Sequence, residues 1–252
     1  MKLLIVILAA ILLTGCNKKK FFDGPNTFSE DFESYSVIED IVEGDDLLWS
    51  FFQQTYDENT ITIDTNIYHS GGQSVRSYAI APTGDGTSKA SINKQNMAFW
   101  SGETVQVDFW VYLEGNDPMD WLFIFDIEEQ TAVGAGPGMR LAIVENKILL
   151  EHKYLNPNVL QLGEGIEFPR DQWVNIRFEA KLSQKKKGWV KVWQDGTLII
   201  DQDKWKTLPK DILYFQQGTK EMYSQIEFGA TANSDDNDVV IYVDDIDVSI
   251  AE

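Results

Sequence analysis

The residues best suited to chemistry lie on one alternating stretch, Thr104 to Leu113. Gln106, Asp108, Trp110 and Tyr112 share one parity, and Val105, Val107, Phe109, Val111 and Leu113 share the other. Period-two alternation marks a half-buried strand, so the first set is expected on one outward face. Aromatic rings there can stack on the C–H faces of sugars, while the carboxylate and amide can pair with hydroxyls. Trp189 and Trp193, with Lys191 between them, form a second aromatic stripe. The competing reading for both stripes is packing, since Trp and Tyr also fill space beneath loops. Paired carboxylates are harder to find. Glu145, Glu151, Glu179 and Glu227 stand isolated and read as solvated, and Glu128 and Glu129 are neighbours that would point to opposite faces of a strand. Retaining hydrolysis of a glycoside needs two carboxyl groups about 5 Å apart, so that chemistry is disfavoured.

The elements that must position these residues are strands. Trp173 to Lys181 alternates Val174, Ile176, Phe178 and Ala180 with Asn175, Arg177, Glu179 and Lys181. Asp195-Gly196 is a two-residue hairpin signal after Gly188 to Gln194, and Glu145-Asn146 turns a second hairpin between Met139–Val144 and Lys147–Tyr154. Further strands are expected at Phe28–Glu33, Thr60–Asp64, Ser74–Ile80, Ser88–Asn93, Trp121–Ile127, Gln225–Thr231 and Val239–Ile250. No helical stripe follows the N-terminal segment, apart from one short turn expected at Pro209–Ile212. More than ten short strands with regular turns predict an all-β, two-sheet antiparallel jelly-roll sandwich in one domain, residues 27–252.

The N-terminus addresses the compartment. Met1-Lys2 and the apolar run Leu3 to Leu13 are too short to cross a bilayer but suit a signal peptide, residues 1–15. Leu13-Thr14-Gly15-Cys16 resembles the bacterial lipobox, which implies lipidation of Cys16 and a basic tether over residues 16–26. The expected location is the bacterial cell envelope, lipid-anchored at the outer membrane. Cys16 is the single cysteine, so the fold rests on a hydrophobic core rather than disulfides. With 21 Lys and Arg against 40 Asp and Glu, the formal charge of −19 disfavours a nucleic-acid partner.

Four segments carry a family resemblance. Phe28 to Tyr35, His69 to Arg76 and Ile241 to Ile246 are similar to the first strand, turn-and-strand and closing strand of carbohydrate-binding jelly rolls. Asp171 to Ile176, with Trp193 to Gly196, resembles a hairpin of concanavalin A-like lectin/glucanase domains. This fold houses binding modules, glycosidases and polysaccharide lyases alike. The resemblance implies a structural calcium site drawing on Glu33, Asp31 and either Asp244 or Asp245, which as strand neighbours cannot both face the ion. Tyr214 to Gly218 resembles the Y-F-K-x-G strand of alginate lyases, although Lys220 stands where their tyrosine would and a Q-I-H strand is missing.

The sequence reading is therefore an envelope lipoprotein that binds a polysaccharide or oligosaccharide without cleaving it, through Gln106, Asp108, Trp110 and Tyr112. The alternative is a polysaccharide lyase using His152, Tyr154, Arg140 and Arg177. A structural or adhesion lipoprotein is the third reading.

Overall fold

The computed structural model describes residues 24–42, 49–84, 86–129, 138–153, 155–209 and 222–251. Cys16, Tyr154, Tyr214 to Gly218, Lys220 and most of the Pro209–Ile212 turn lie outside the described residues. In chain order the strands are β1 (Phe28–Glu30), β2 (Phe51–Gln54), β3 (Thr60–Asp64), β4 (Ser74–Ala79), β5 (Ser88–Lys94), β6 (Phe99–Trp100), β7 (Thr104–Leu113) and β8 (Leu122–Glu128). They continue as β9 (Gly138–Val144), β10 (Lys147–His152), β11 (Trp173–Lys181), β12 (Gly188–Gln194), β13 (Thr197–Trp205), β14 (Met222–Tyr223), β15 (Gln225–Asn233) and β16 (Val239–Ala251). A 3-10 turn at Ile38–Ile41 is the helical element among the described residues.

Two antiparallel sheets make the jelly-roll sandwich that the alternation predicts. One runs β13-β12-β11-β7-β16-β4-β3, with β1 added on β16; the other runs β10-β9-β8-β15-β5-β2. Glu145 and Asn146 both take positive φ between β9 and β10, as Asp195 and Gly196 do between β12 and β13. Both turns thus match the right-handed twist of their flanking strands.

The core forms where the inner faces meet. Phe109 on β7 packs its ring 5.6 Å from Phe125 and 5.1 Å from Phe228, and Phe125 lies 5.2 Å from Phe178. Val105, Val107, Val111, Ile176, Ile92, Leu141, Ile143, Leu150 and Ile226 complete the same buried cluster. Full burial of each such side chain contributes roughly 1.5–3 kcal/mol. Residues of opposite parity consequently point away from the core on both sheets.

On β8 and β15 the outward residues are buried too, for every position of both strands is inaccessible. A bulge at Ile124 shifts the register, so Phe123 pairs with Ala142 while Phe125 pairs with Leu141. One extra residue keeps Phe123 and Asp126 on the outward face with Phe125 in the core.

Candidate functional site

The outward face of the six-stranded sheet carries a row of polar side chains set by strand register. Glu151 on β10 opposes Arg140 on β9, which opposes Asp126 on β8, which opposes Glu227 on β15, which opposes Asn93 on β5. Directly opposed residues stand about 5 Å apart at Cβ, so the five form a continuous strip. Glu128 opposes Gln225 in the adjacent row.

Lys153 ties the rows together. Its Nζ lies 2.5 Å from Glu128 Oε2 and 3.3 Å from Asp126 Oδ1. It reaches Glu128 across β9 because Gly138 stands between them; a Cβ there would come within 2.4 Å of Glu128 Cβ and 2.5 Å of the Ile127 carbonyl oxygen. Gly138→Ala is therefore expected to lower stability by about 1–3 kcal/mol through overpacking. Chemical denaturation would check this, and an unchanged midpoint would contradict the close approach. Arg140 donates from Nε to Glu151 and lies with its guanidinium 3.6 Å from the Phe123 ring centroid. Gln225 Nε2 donates to Asn93 Oδ1 at 3.0 Å, and Ser91 Oγ donates to Glu227.

Burial sets the protonation of this strip. Desolvation pushes the Glu227 carboxyl up to about 7, reinforced by Asp126 and opposed by Lys89. Desolvation also raises Glu128, against the attraction of Lys153. Asp126 pays desolvation as well, but Lys153 and Arg140 outweigh it and hold this carboxyl below its ordinary value. Desolvation opposes the charge on Lys153, yet Asp126 and Glu128 overcome it and raise its pKa. Lys153 is thus a fixed cation, and Glu227 can exchange a proton near neutrality. Glu227 is 2% exposed, which corrects its reading as a solvated glutamate.

Of the expected site residues that are described, Arg140 belongs to this strip and the others lie elsewhere. Gln106, Asp108, Trp110 and Tyr112 share the outward face of the eight-stranded sheet, all half-buried. Asp108 is held by Arg177 Nε at 2.6 Å and Asn175 Nδ2 at 2.7 Å. Trp110 stacks on the His69 ring at 3.7 Å, and Tyr112 meets Trp173 and Tyr242 edge-on. His152 shares the inward parity of Leu150 and is 2% exposed. Its ring lies 5.8 Å from Trp205 in an edge-on contact, and burial lowers its pKa. Arg140 and Arg177 lie on different sheets, so His152, Arg140 and Arg177 are not brought together.

The implied calcium ligands act on backbone amides. Glu33 Oε1 accepts from the N–H groups of Gly72 and Gln73 at 2.8 and 3.0 Å. Asp244 Oδ2 accepts from His69 and Ser70, and burial pushes Asp244 up to about 6. Asp245 lies 2.6 Å from His69 Nδ1, and Asp31 accepts from the Glu33 N–H. Asp31 and Asp245 do line one cleft with Asp247, but among the described residues no group of three or more His, Cys, Asp or Glu is placed to hold a metal ion. Glu33, Asp244 and Asp245 thus hold the 69–73 turn in place, while Asp31 bonds locally to the Glu33 N–H.

A polysaccharide lyase family model matches residues 40–247. No curated protein sequence matches the chain. Among solved structures, the endo-β-1,4-glucuronan lyase from the fungus Trichoderma reesei superposes with a TM-score of 0.66 at 13% identity, covering 89% of this chain and 95% of that one. The cellulose induced protein Cip1 gives 0.60 at 15% identity, covering 88% and 96%. A double mutant of the alginate lyase Aly36B in complex with alginate trisaccharide gives 0.57 at 12% identity, covering 91% and 100%. At these identities the likeness concerns the concanavalin A-like sandwich itself.

Proposed function

Because the chain belongs to the polysaccharide lyase family, we propose that it cleaves an acidic polysaccharide by β-elimination on the outward face of the six-stranded sheet. The observation that carries this reading is the buried strip of Lys153, Asp126, Glu128, Arg140 and Glu227, a concentration of ionisable groups that a sandwich does not need for folding.

Elimination breaks the C5–H bond of a uronate and moves its electron pair into a C4=C5 double bond. The C4–O bond breaks, and the departing oxygen leaves with a proton. Glu227, titrating at about 7, is the group we assign to accept the C5 proton; it is 2% exposed, so substrate must displace what covers the strip to reach it. Lys153 and Arg140 supply positive charge toward the uronate carboxylate, which lowers the cost of charge building up beside C5. The Asn93 and Gln225 amides add hydrogen-bonding groups to the same surface.

The elimination reading is better supported than glycan capture without cleavage, because Asp108, Trp110 and Tyr112 are engaged with one another's neighbours on the opposite sheet. The test is incubation with glucuronan, alginate and other polyuronates while following the ultraviolet absorbance of the new C4=C5 bond. Absorbance growth with falling chain length supports the reading; intact polymer in every case would refute it. The Leu13 to Cys16 string supports placing this activity in the cell envelope on a lipid anchor. Cys16→Ser would then move the protein from the membrane to the soluble fraction, and unchanged fractionation would refute the anchor.

A further inference from the structure

The outward face of the six-stranded sheet changes character along β8. Past the bulge at Ile124, the charged strip gives way to an apolar patch. Phe123, Ala142 and Ala232 form a hydrophobic cluster separate from the main core, with Val144 packed against it. Trp121 extends the patch. Its ring centroid lies 5.9 Å from that of Phe123, tilted by 34°, and its backbone carbonyl accepts from the Ser234 N–H. Unlike Phe123, Trp121 is 37% exposed.

Register places a cation on the same row. Leu122 opposes Ile143, so Trp121 falls at the level of Val144, and Val144 opposes Lys147 on β10. Lys147 Nζ donates to the Glu164 carbonyl oxygen at 2.8 Å. A cleft of about 220 Å³ opens there, walled by Val144, Leu149 and Leu160 and rimmed by Lys147 and Gln161, with Glu145 and Glu164 also on its lining. Leu160 is 72% exposed. An open indole over an apolar floor, with an ammonium two strands away, suits a pyranose ring bearing a carboxylate. The ring's C–H face lies on the indole and the acid group pairs with the cation.

We propose that Trp121, Phe123 and Val144 form a distal subsite that stacks one sugar of the acidic chain, with Lys147 pairing its carboxylate. This rests on the lyase reading and adds where the remainder of the polymer lies. From Arg140 to Val144 is four residues of β9, roughly 13 Å, farther than a single sugar ring spans. The subsite therefore engages a sugar other than the one undergoing elimination, so it rewards long chains and is missed by short ones.

The experiment compares Trp121→Ala, Trp121→Phe and Lys147→Met with the parent on a polyuronate and on its trisaccharide. For Trp121→Ala, KM on the polymer should rise about tenfold more than KM on the trisaccharide, equivalent to about 1.4 kcal/mol. Trp121→Phe should recover most of that difference, and Lys147→Met should reproduce part of it. Equal effects on both substrates, or none, would overturn the subsite. If the parent eliminates no substrate, the lyase reading fails and retention in polyuronate-containing gels decides instead. Reduced retention of Trp121→Ala supports the subsite, and unchanged retention overturns it.

Discussion

Glu227→Gln is expected to abolish elimination while making the protein more resistant to heat above neutral pH. The two effects have one cause. Glu227 is buried opposite Asp126, and desolvation raises its carboxyl to about 7. A folded-state pKa above the unfolded value means that the native state holds a proton the unfolded chain would release. Stability from this group is therefore complete below about 4.5, the ordinary glutamate value, and is lost as pH rises through about 7. Glutamine keeps the oxygen that accepts from Ser91 and carries no charge to bury, so that slope should vanish. The catalytic arm runs the other way. A base must be deprotonated to work, so kcat/KM of the parent should climb with pH through about 7. Loss of a general base costs roughly 10²–10⁴ in rate. Melting temperatures from pH 5 to 9, measured beside rates for both proteins, give the test. Glu227→Gln that retains a tenth of the parental rate would exclude Glu227 as the base, and an unaltered stability slope would contradict its burial as a proton-holding acid.

Much of this fold was legible because alternation and turn chemistry are local. Thr104 to Leu113 forms β7 with the predicted parity, and Asp195-Gly196 and Glu145-Asn146 make the hairpins their residue types require. The candidate site was less legible for two physical reasons. Parity says which residues share a face but not which face meets the core. His152 shares its parity with Leu150, and that parity is the interior one. The outward side of β8 and β15 is also buried, so Asp126, Glu128 and Glu227 sit among apolar neighbours and lose the contrast that marks a polar face. Asp126-Ile127-Glu128 has the two-apart spacing of the missing Q-I-H strand, with carboxylates in place of glutamine and histidine. The available signal was the ionisable density itself: two acids on β8, with Arg140 and Lys153 at the ends of the next hairpin. The acids near the last strand have a role that their clustering did not announce: Glu33 and Asp244 accept from backbone N–H groups of the 69–73 turn.

Lys153→Met should be the most destabilising change in the strip. The lysine side chain is 11% exposed and faces Asp126 and Glu128, both still more buried. Removing one member of a buried ion pair leaves the remaining charge without compensation, at a cost of about 3–5 kcal/mol. Here one substitution removes the cation that two carboxylates share. They differ in how they respond. Asp126 is held ionised by Lys153 and Arg140 together, whereas Glu128 is already raised by burial and is the readier of the two to take up a proton. In Lys153→Met both carboxyl pKa values rise, so the loss should be greatest at neutral pH and shrink as acidification neutralises Glu128 and then Asp126. Adding Glu128→Gln should restore part of the stability at neutral pH without restoring activity, because the cation facing the substrate carboxylate is still missing. Urea denaturation of the parent, the single variant and the double variant at pH 5 and 7.5 separates these effects. A cost below about 1 kcal/mol at pH 7.5, the range of exposed ion pairs, would mean that the strip is open to solvent.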